Sequence, residues 1–98
     1  MTGRPSKLSE TDRNQALMSL PGWDYSAEVA AIKKTYKFSD FSEAWAFMTR
    51  AALLAEKIDH HPEWFNVYNR VEVKLTTHDA DGVTALDIQM ATAMEDFS

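Results

Sequence analysis

The sequence predicts an α+β fold, in which three helices pack on one face of a four-stranded antiparallel sheet in the order αββαββα. Three observations support this prediction. Residues 41–58 carry apolar side chains at intervals of three and four, as an amphipathic helix does. Residues 71–75 alternate between apolar and polar side chains, as a half-buried strand does. The strand candidates are separated by short turns, and strands joined by short turns run antiparallel.

The first helix is predicted to begin at Ser9, whose side chain can cap the free N–H groups of the first turn. Glu10 and Asp12 follow, where the helix dipole favours negative charge. The apolar stripe of this helix is narrow and consists of Ala16, Leu17 and Leu20. Pro21-Gly22 is expected to end the helix.

Two strands are predicted between Trp23 and Phe38, because the side chains there alternate with a period of two. The apolar side holds Ile32, Tyr36 and Phe38, and the polar side holds Lys33, Thr35 and Lys37. Lys34 falls on the apolar side and weakens the pattern. The turn between the two strands is expected within residues 26–29, although no Asn-Gly or Asp-Gly marks it.

The second helix is capped by Ser39 or Asp40 and extends over residues 41–58. Its main apolar stripe is predicted to consist of Phe41, Ala44, Trp45, Met48, Ala52, Ala55 and Ile58. Further apolar residues widen this surface, namely Phe47, Ala51 and Leu54. They form either a wide core face or a second face that meets another subunit. The second alternative predicts a homodimer or homotetramer through this helix, with Leu54 pointing outward.

The second half of the chain repeats the strand pair and adds a helix. Pro62 ends the second helix and biases His61 away from helical dihedral angles. Strands are predicted at residues 65–68 and 71–75, with a turn at Asn69-Arg70 and a loop at residues 79–82. Residues 84–87 resemble a capping box with Asp87 in place of Glu. Helical spacing follows at Ile88, Ala91, Met94 and Phe97.

Length and composition restrict the class of protein. The 98 residues suffice for one small domain, predicted at residues 8–98 after a mobile tail at residues 1–7. The net charge of −5, with Lys33-Lys34 as the densest basic spot, argues against direct nucleic-acid binding. The absence of Cys excludes disulfides and thiolate chemistry. The sequence lacks a secretory signal and an apolar stretch of about 18 residues, so we expect a soluble cytoplasmic protein without a membrane partner.

The three histidines raise the question of a metal site. Glu56 and His60 are four residues apart and can share a helix face. However, adjacent histidines such as His60 and His61 seldom bind one ion together, and neither an HExxH motif nor a Cys-His spacing occurs. We therefore expect no metal.

Acid–base chemistry suits the same histidines better. His60 and His61 follow a helix C-terminus, whose partial negative charge favours the imidazolium form, and the carboxylates of Glu56 and Asp59 act in the same direction. His78 follows a strand end and can approach from the other side. Such loops would form a small-molecule site rimmed by Trp23, Trp64 or Tyr68. The alternative is that each histidine caps a carbonyl or lies in solvent, and the spacing alone leaves both alternatives open.

These residues belong to a longer pattern with fixed spacing, Glu56-x3-His60-His61-Pro62-x5-Tyr68-x9-His78-x8-Asp87. The pattern resembles the signature of the pterin-4a-carbinolamine dehydratases, and the resemblance covers residues 8–97. Residues 47–50 (FMTR) and 56–70 (EKIDHHPEWFNVYNR) are similar to the animal members that also act as dimerisation cofactors of a homeodomain transcription factor.

The resemblance implies removal of water from 4a-hydroxytetrahydrobiopterin to give quinonoid dihydropterin, in tetrahydrobiopterin recycling and without a cofactor. It implies that His60 and His78 are the general acid and base. Glu56 and Asp87 would orient these histidines or tune their charge, and His61 would hold the pterin. Family members share a four-stranded antiparallel α+β fold and form dimers or tetramers.

The resemblance also implies further substrate contacts, from Trp23 at the rim of the site and from Asp59 and Tyr68. One position departs from the family pattern, because Leu86 stands where a basic residue is frequent. The alternative function is a dimerisation cofactor, a transcriptional coactivator with a vestigial pocket. That role requires an organism that has the transcription factor, and a nuclear location would accompany it. The intact histidine set favours the enzyme.

Overall fold

The computed structural model describes residues 5–98, and over these residues it has the predicted order αββαββα. The elements are α1 (Glu10–Leu17), β1 (Asp24–Ser26), β2 (Ala31–Lys37), α2 (Phe41–Ile58), β3 (Glu63–Val67), β4 (Arg70–Leu75) and α3 (Ala85–Phe97), with a 3₁₀ turn at His78–Ala80. Four residues of the predicted tail, residues 1–4, lie outside the described residues. The division into a tail and one domain therefore stays a prediction.

The strands form an antiparallel sheet in the order β1-β2-β4-β3. Its centre is the β2–β4 pair, whose register runs from Ile32 opposite Leu75 to Lys37 opposite Arg70. One face of this pair is buried under the helices and carries Ile32, Tyr36, Val71, Val73 and Leu75. The opposite face is exposed and carries Lys33, Thr35, Lys37 and Glu72. The predicted α+β fold is confirmed.

The helix α2 packs with a wide core face, the first of the two alternatives, because Phe47 and Ala51 join Ala44 and Ala55 of the predicted stripe. Its buried residues are Ala44, Phe47, Ala51 and Ala55. Leu54, predicted to point outward, is partly buried against the core. The exposed apolar residues are Phe41, Trp45, Ala52 and Leu53. Two apolar stripes lie side by side on this helix, and helical periodicity does not say which one meets the sheet. Packing decides it, because the Phe47 ring fills the space beside the rings of Tyr36 (4.7 Å) and Phe38 (5.1 Å).

Several boundaries differ from the predicted ones. The helix α1 ends at Leu17, before the Pro21-Gly22 pair, and Leu20 is buried beyond the helix rather than within it. The β1–β2 turn occupies residues 27–30, one residue later than expected. The strand β3 begins at Glu63, and the following turn is Tyr68-Asn69 rather than Asn69-Arg70. Tyr68 takes a left-handed backbone conformation (φ 49°). This conformation is uncommon for residues other than glycine, so the tyrosine gave no indication of it.

A polar cluster ties α3 to the sheet. Glu95 of α3 accepts hydrogen bonds from the Tyr36 hydroxyl, Lys34 Nζ (2.7 Å) and Trp23 Nε1 (3.3 Å). Lys34 thus lies on the apolar face because its ammonium group reaches this carboxylate. Burial, together with the hydrogen bond to Glu95, raises the pKa of Tyr36 well above its usual range. Partial burial raises the pKa of Glu95, but the three hydrogen bonds outweigh it, so that this pKa is lowered.

Among residues 5–98, none of the helices combines the length and apolar character that crossing a bilayer requires.

Candidate active site

The chain reverses direction at the C-terminus of α2 and places His60 inside the domain. Asp59 takes a left-handed conformation (φ 52°), and the His60 N–H donates to the Ala55 carbonyl at 3.0 Å. The left-handed conformation after the last helical residue is a common way to end a helix. His60 is consequently buried, whereas the next residue, His61, is exposed.

A buried carboxylate holds the His60 ring. His60 Nε2 lies 2.5 Å from Asp87 Oδ1, and the Asp87 side chain is fully buried. Oδ2 of Asp87 accepts from the Thr77 hydroxyl (2.8 Å) and from the Thr84 N–H (2.9 Å). The Thr84 contact belongs to the capping box that begins α3. Both established donors thus lie on Oδ2, and Oδ1 is left to His60; where Asp87 is ionised, Oδ1 can only accept, so His60 Nε2 carries the proton.

The other two histidines also face carboxylates, but at exposed positions. His61 Nε2 lies 2.5 Å from Glu56 Oε2, and His78 Nε2 lies 3.2 Å from Glu63 Oε2. Glu63 also pairs with Lys74 Nζ at 3.2 Å through its other oxygen. Exposed contacts between polar side chains contribute little to stability. Their main consequence is that the carboxylates orient both imidazole rings.

These residues surround a cleft of about 220 Å³ between the end of α2 and the end of β4. The cleft is lined by Asp59, His60, His61, Thr76, Thr77, His78 and Asp79. Of the residues that the sequence singled out, the structure therefore brings His60, His61, His78 and Asp59 together. Glu56 and Asp87 join them through His61 and His60 respectively. Their catalytic and binding roles stay predictions.

Two residues that the resemblance assigned to the site do not line this cleft. Trp23 is 4% exposed and lies in the core, where its Nε1 also donates to the Tyr36 hydroxyl at 3.2 Å. Tyr68 is exposed in the β3–β4 turn, at the opposite end of β3 from Glu63. Their positions do not support contact with a ligand in the cleft of the same chain. Leu86 lies in the first turn of α3 and is likewise not among the residues that line the cleft.

Sequence reasoning missed the partners of the site residues. Thr77 and Thr84 are buried and contact Asp87, and Glu63 contacts His78. The Thr84-to-Asp87 spacing was visible as a capping box, which indicates a helix start rather than a site. The sequence carries no comparable signal for Thr77 or Glu63.

Within the part of the chain that the structure describes, no group of three or more His, Asp or Glu side chains is arranged to hold a metal ion.

The chain is similar in sequence to proteins of a known family. The family model described as pterin 4 alpha carbinolamine dehydratase matches residues 6–97. Relatives with the provisional name pterin-4-alpha-carbinolamine dehydratase include proteins of Novosphingobium aromaticivorans and Bradyrhizobium diazoefficiens. The first is 59% identical over 92 residues, 94% of this chain and 96% of the relative. The second is 60% identical over 88 residues, 90% of this chain and 88% of the relative.

A solved structure shares the fold. The crystal structure of a protein described as transcriptional coactivator/pterin dehydratase from Brucella melitensis superposes with a TM-score of 0.91. It is 53% identical in sequence, and the match covers 94% of this chain and 98% of that chain.

Proposed function

Because the chain belongs to the pterin 4 alpha carbinolamine dehydratase family, we propose that it removes water from 4a-hydroxytetrahydrobiopterin to give quinonoid dihydropterin, in tetrahydrobiopterin recycling. The observation that carries the proposal is the buried His60–Asp87 pair, which opens onto a cleft also lined by His61 and His78. Removal of water needs a group that gives a proton and a group that takes one, and this cleft holds three imidazoles.

The chemistry requires two proton transfers. The C4a–O bond breaks as a proton is delivered to the departing hydroxyl, which leaves as water. The neighbouring ring nitrogen loses its proton, and its electron pair forms the double bond to C4a. Histidine titrates near neutrality and can serve in either step. We assign the two steps to His60 and His78, which enter the cleft from the ends of α2 and β4.

We assign substrate binding to the exposed rim. His61 is oriented by Glu56, and Asp59 lines the cleft beside it. Their polar atoms can form hydrogen bonds with the ring atoms of a pterin, which presents both donors and acceptors. Proton transfer between imidazole and substrate requires no metal ion and no organic cofactor. We therefore expect dehydration to continue at an unchanged rate after exhaustive chelation.

The catalytic assignment is tested with single-residue variants. We expect that His60→Ala and His78→Ala each lower kcat by about 10²-fold or more, as loss of a general acid or base does. His61→Ala is expected mainly to raise KM, because it removes a binding contact. Lys33→Ala, on the exposed face of the sheet, serves as the control. Water elimination is followed by pterin absorbance, and wild-type kcat values in both His60→Ala and His78→Ala would refute the assignment.

A second candidate function is suggested by the Brucella melitensis structure, whose description also names a transcriptional coactivator. In this chain α2 exposes Phe41 and Trp45, whose rings stack with centroids 6.1 Å apart. An exposed aromatic pair of this kind suits a protein interface. The two functions separate experimentally, because His60→Ala should greatly slow dehydration and leave any interface on α2 intact.

A further inference from the structure

We infer that Thr77 is a positioning residue for the proposed dehydration, and this inference rests on the function proposed above. Its hydroxyl donates to the Asp87 carboxylate, and Asp87 in turn contacts His60 Nε2, so that an ionised Asp87 favours the ring tautomer with its proton on Nε2. Thr77 thus acts on the substrate through two other side chains.

The directions of the hydrogen bonds support this role. Thr77 Oγ1 lies 2.8 Å from both Asp87 Oδ2 and Thr84 Oγ1. Thr77 has one hydroxyl proton, and an ionised carboxylate only accepts. Thr77 therefore donates to Asp87 and accepts from the Thr84 hydroxyl. The resulting chain runs from Thr84 through Thr77 to Asp87, where it meets the proton of His60 Nε2.

The hydrogen bonds from Thr84 through Thr77 to Asp87 lie in a buried part of the molecule, behind the His60 ring. Thr77, Thr84 and Asp87 are 2%, 0% and 0% exposed, so water does not replace a missing donor at low cost. The other ionisable groups that line the cleft beside His60 are all exposed, namely Asp59, His61, His78 and Asp79. Solvent screens these groups. Asp87 is therefore the buried carboxylate that contacts the His60 ring.

The loop that carries Thr77 does not depend on the Thr77 hydroxyl for its position. The Thr77 N–H donates to the Gly82 carbonyl at 2.9 Å, and the Gly82 N–H donates back at 3.3 Å. These backbone bonds fix the position of residue 77 without its side chain. A change of the hydroxyl alone should consequently leave the adjacent His78 in place.

The test compares Thr77→Val, which removes the hydroxyl and keeps the shape, with Thr77→Ser, which keeps the hydroxyl. We expect Thr77→Val to lower kcat about tenfold or more, the order expected for one hydrogen bond to a charged group, with little change in KM. Its pH–rate profile should also differ from that of the wild type, because the hydroxyl that fixes the carboxylate opposite His60 is missing. Thr77→Ser should restore both quantities. Thr92→Val, an exposed change on α3, is the matched control.

Nitrogen-15 chemical shifts of the His60 ring, recorded without substrate, report the tautomer directly. We expect proton occupancy on Nε2 in wild type and Thr77→Ser, and a partial shift to Nδ1 in Thr77→Val. Thr77→Ala replaces Thr77→Val if the latter does not fold. Unchanged ring shifts and an unchanged pH–rate profile in a folded variant without the hydroxyl would overturn the inference, as would a loss that Thr77→Ser does not restore. If the wild type does not dehydrate the pterin, the proposed function fails, and the ring shifts still decide the role of Thr77.

Discussion

Replacement of Asp87 by Asn is the most direct test of the buried pair, because it removes the charge and keeps the shape. Two donors, the Thr77 hydroxyl and the Thr84 N–H, face the Oδ2 position. The amide oxygen of the variant must take that position, because an NH₂ group there would face two donors. The NH₂ group then points at His60 Nε2 from the position that Oδ1 occupies, 2.5 Å away in the wild type. The ring can accept this contact only with its proton moved to Nδ1.

The expected changes in kcat and in the free energy of unfolding follow from the contacts that Asp87→Asn removes and keeps. The catalytic step loses a histidine in the correct tautomer, so kcat should fall by about 10²–10⁴-fold, the range that general acid–base catalysis contributes. The free energy of unfolding should fall by only about 1–3 kcal/mol, because both bonds at Oδ2 survive and the bond to His60 changes from a charge-assisted one to a neutral one. We therefore expect Asp87→Asn to lose most of its kcat while the protein remains folded.

The assay follows pterin absorbance in single turnovers, together with denaturant unfolding of the same samples. Asp96→Asn, an exposed change on the same helix, is the control. Equal kcat values for Asp87→Asn and Asp96→Asn would refute the reasoning. A variant that unfolds would instead show that Asp87 is required mainly for the start of α3.

Three further predictions concern stability and assembly. The lowered pKa of Glu95 contributes stability that is complete above its ordinary value of 4.5 and is lost as the pH falls through the lower folded value. Glu95→Gln should therefore reduce stability at neutral pH and weaken its acid dependence, measured by denaturant unfolding down to about pH 3; an unchanged acid dependence would contradict this. We also propose a homodimer or homotetramer through the outward stripe of α2. Light scattering should show that Trp45→Glu dissociates the oligomer, because the change places a charge in an apolar contact, whereas Lys57→Glu should leave the oligomer intact. A monomeric wild type would refute the proposed assembly. Leu54→Glu should instead destabilise the fold, because Leu54 packs against the core.

The sequence by itself determined the fold class, the order of elements and the family. Periodicity separates helix from strand in a window of a few residues, which explains why the bounds predicted for α2 agree with the structure. The family pattern depends on the identity and spacing of residues such as His60, His61 and His78, and these are visible without coordinates. The sequence also determined the cap of α3, because Thr84 and Asp87 are neighbours within one turn.

Only the tertiary structure decided which groups meet across the chain. The periodicity of α2 is the same whether Phe47 or Trp45 faces the sheet, and the space beside Tyr36 settles the choice for Phe47. The resemblance suggested Trp23 for the site, but its indole N–H is satisfied in the core by Tyr36 and Glu95. Asp87 and His60 are separated by 27 residues, and no local pattern encodes a hydrogen bond between them. That contact, with Thr77 behind it, exists only because α2, α3 and the end of β4 pack together, and packing is a property of the whole chain.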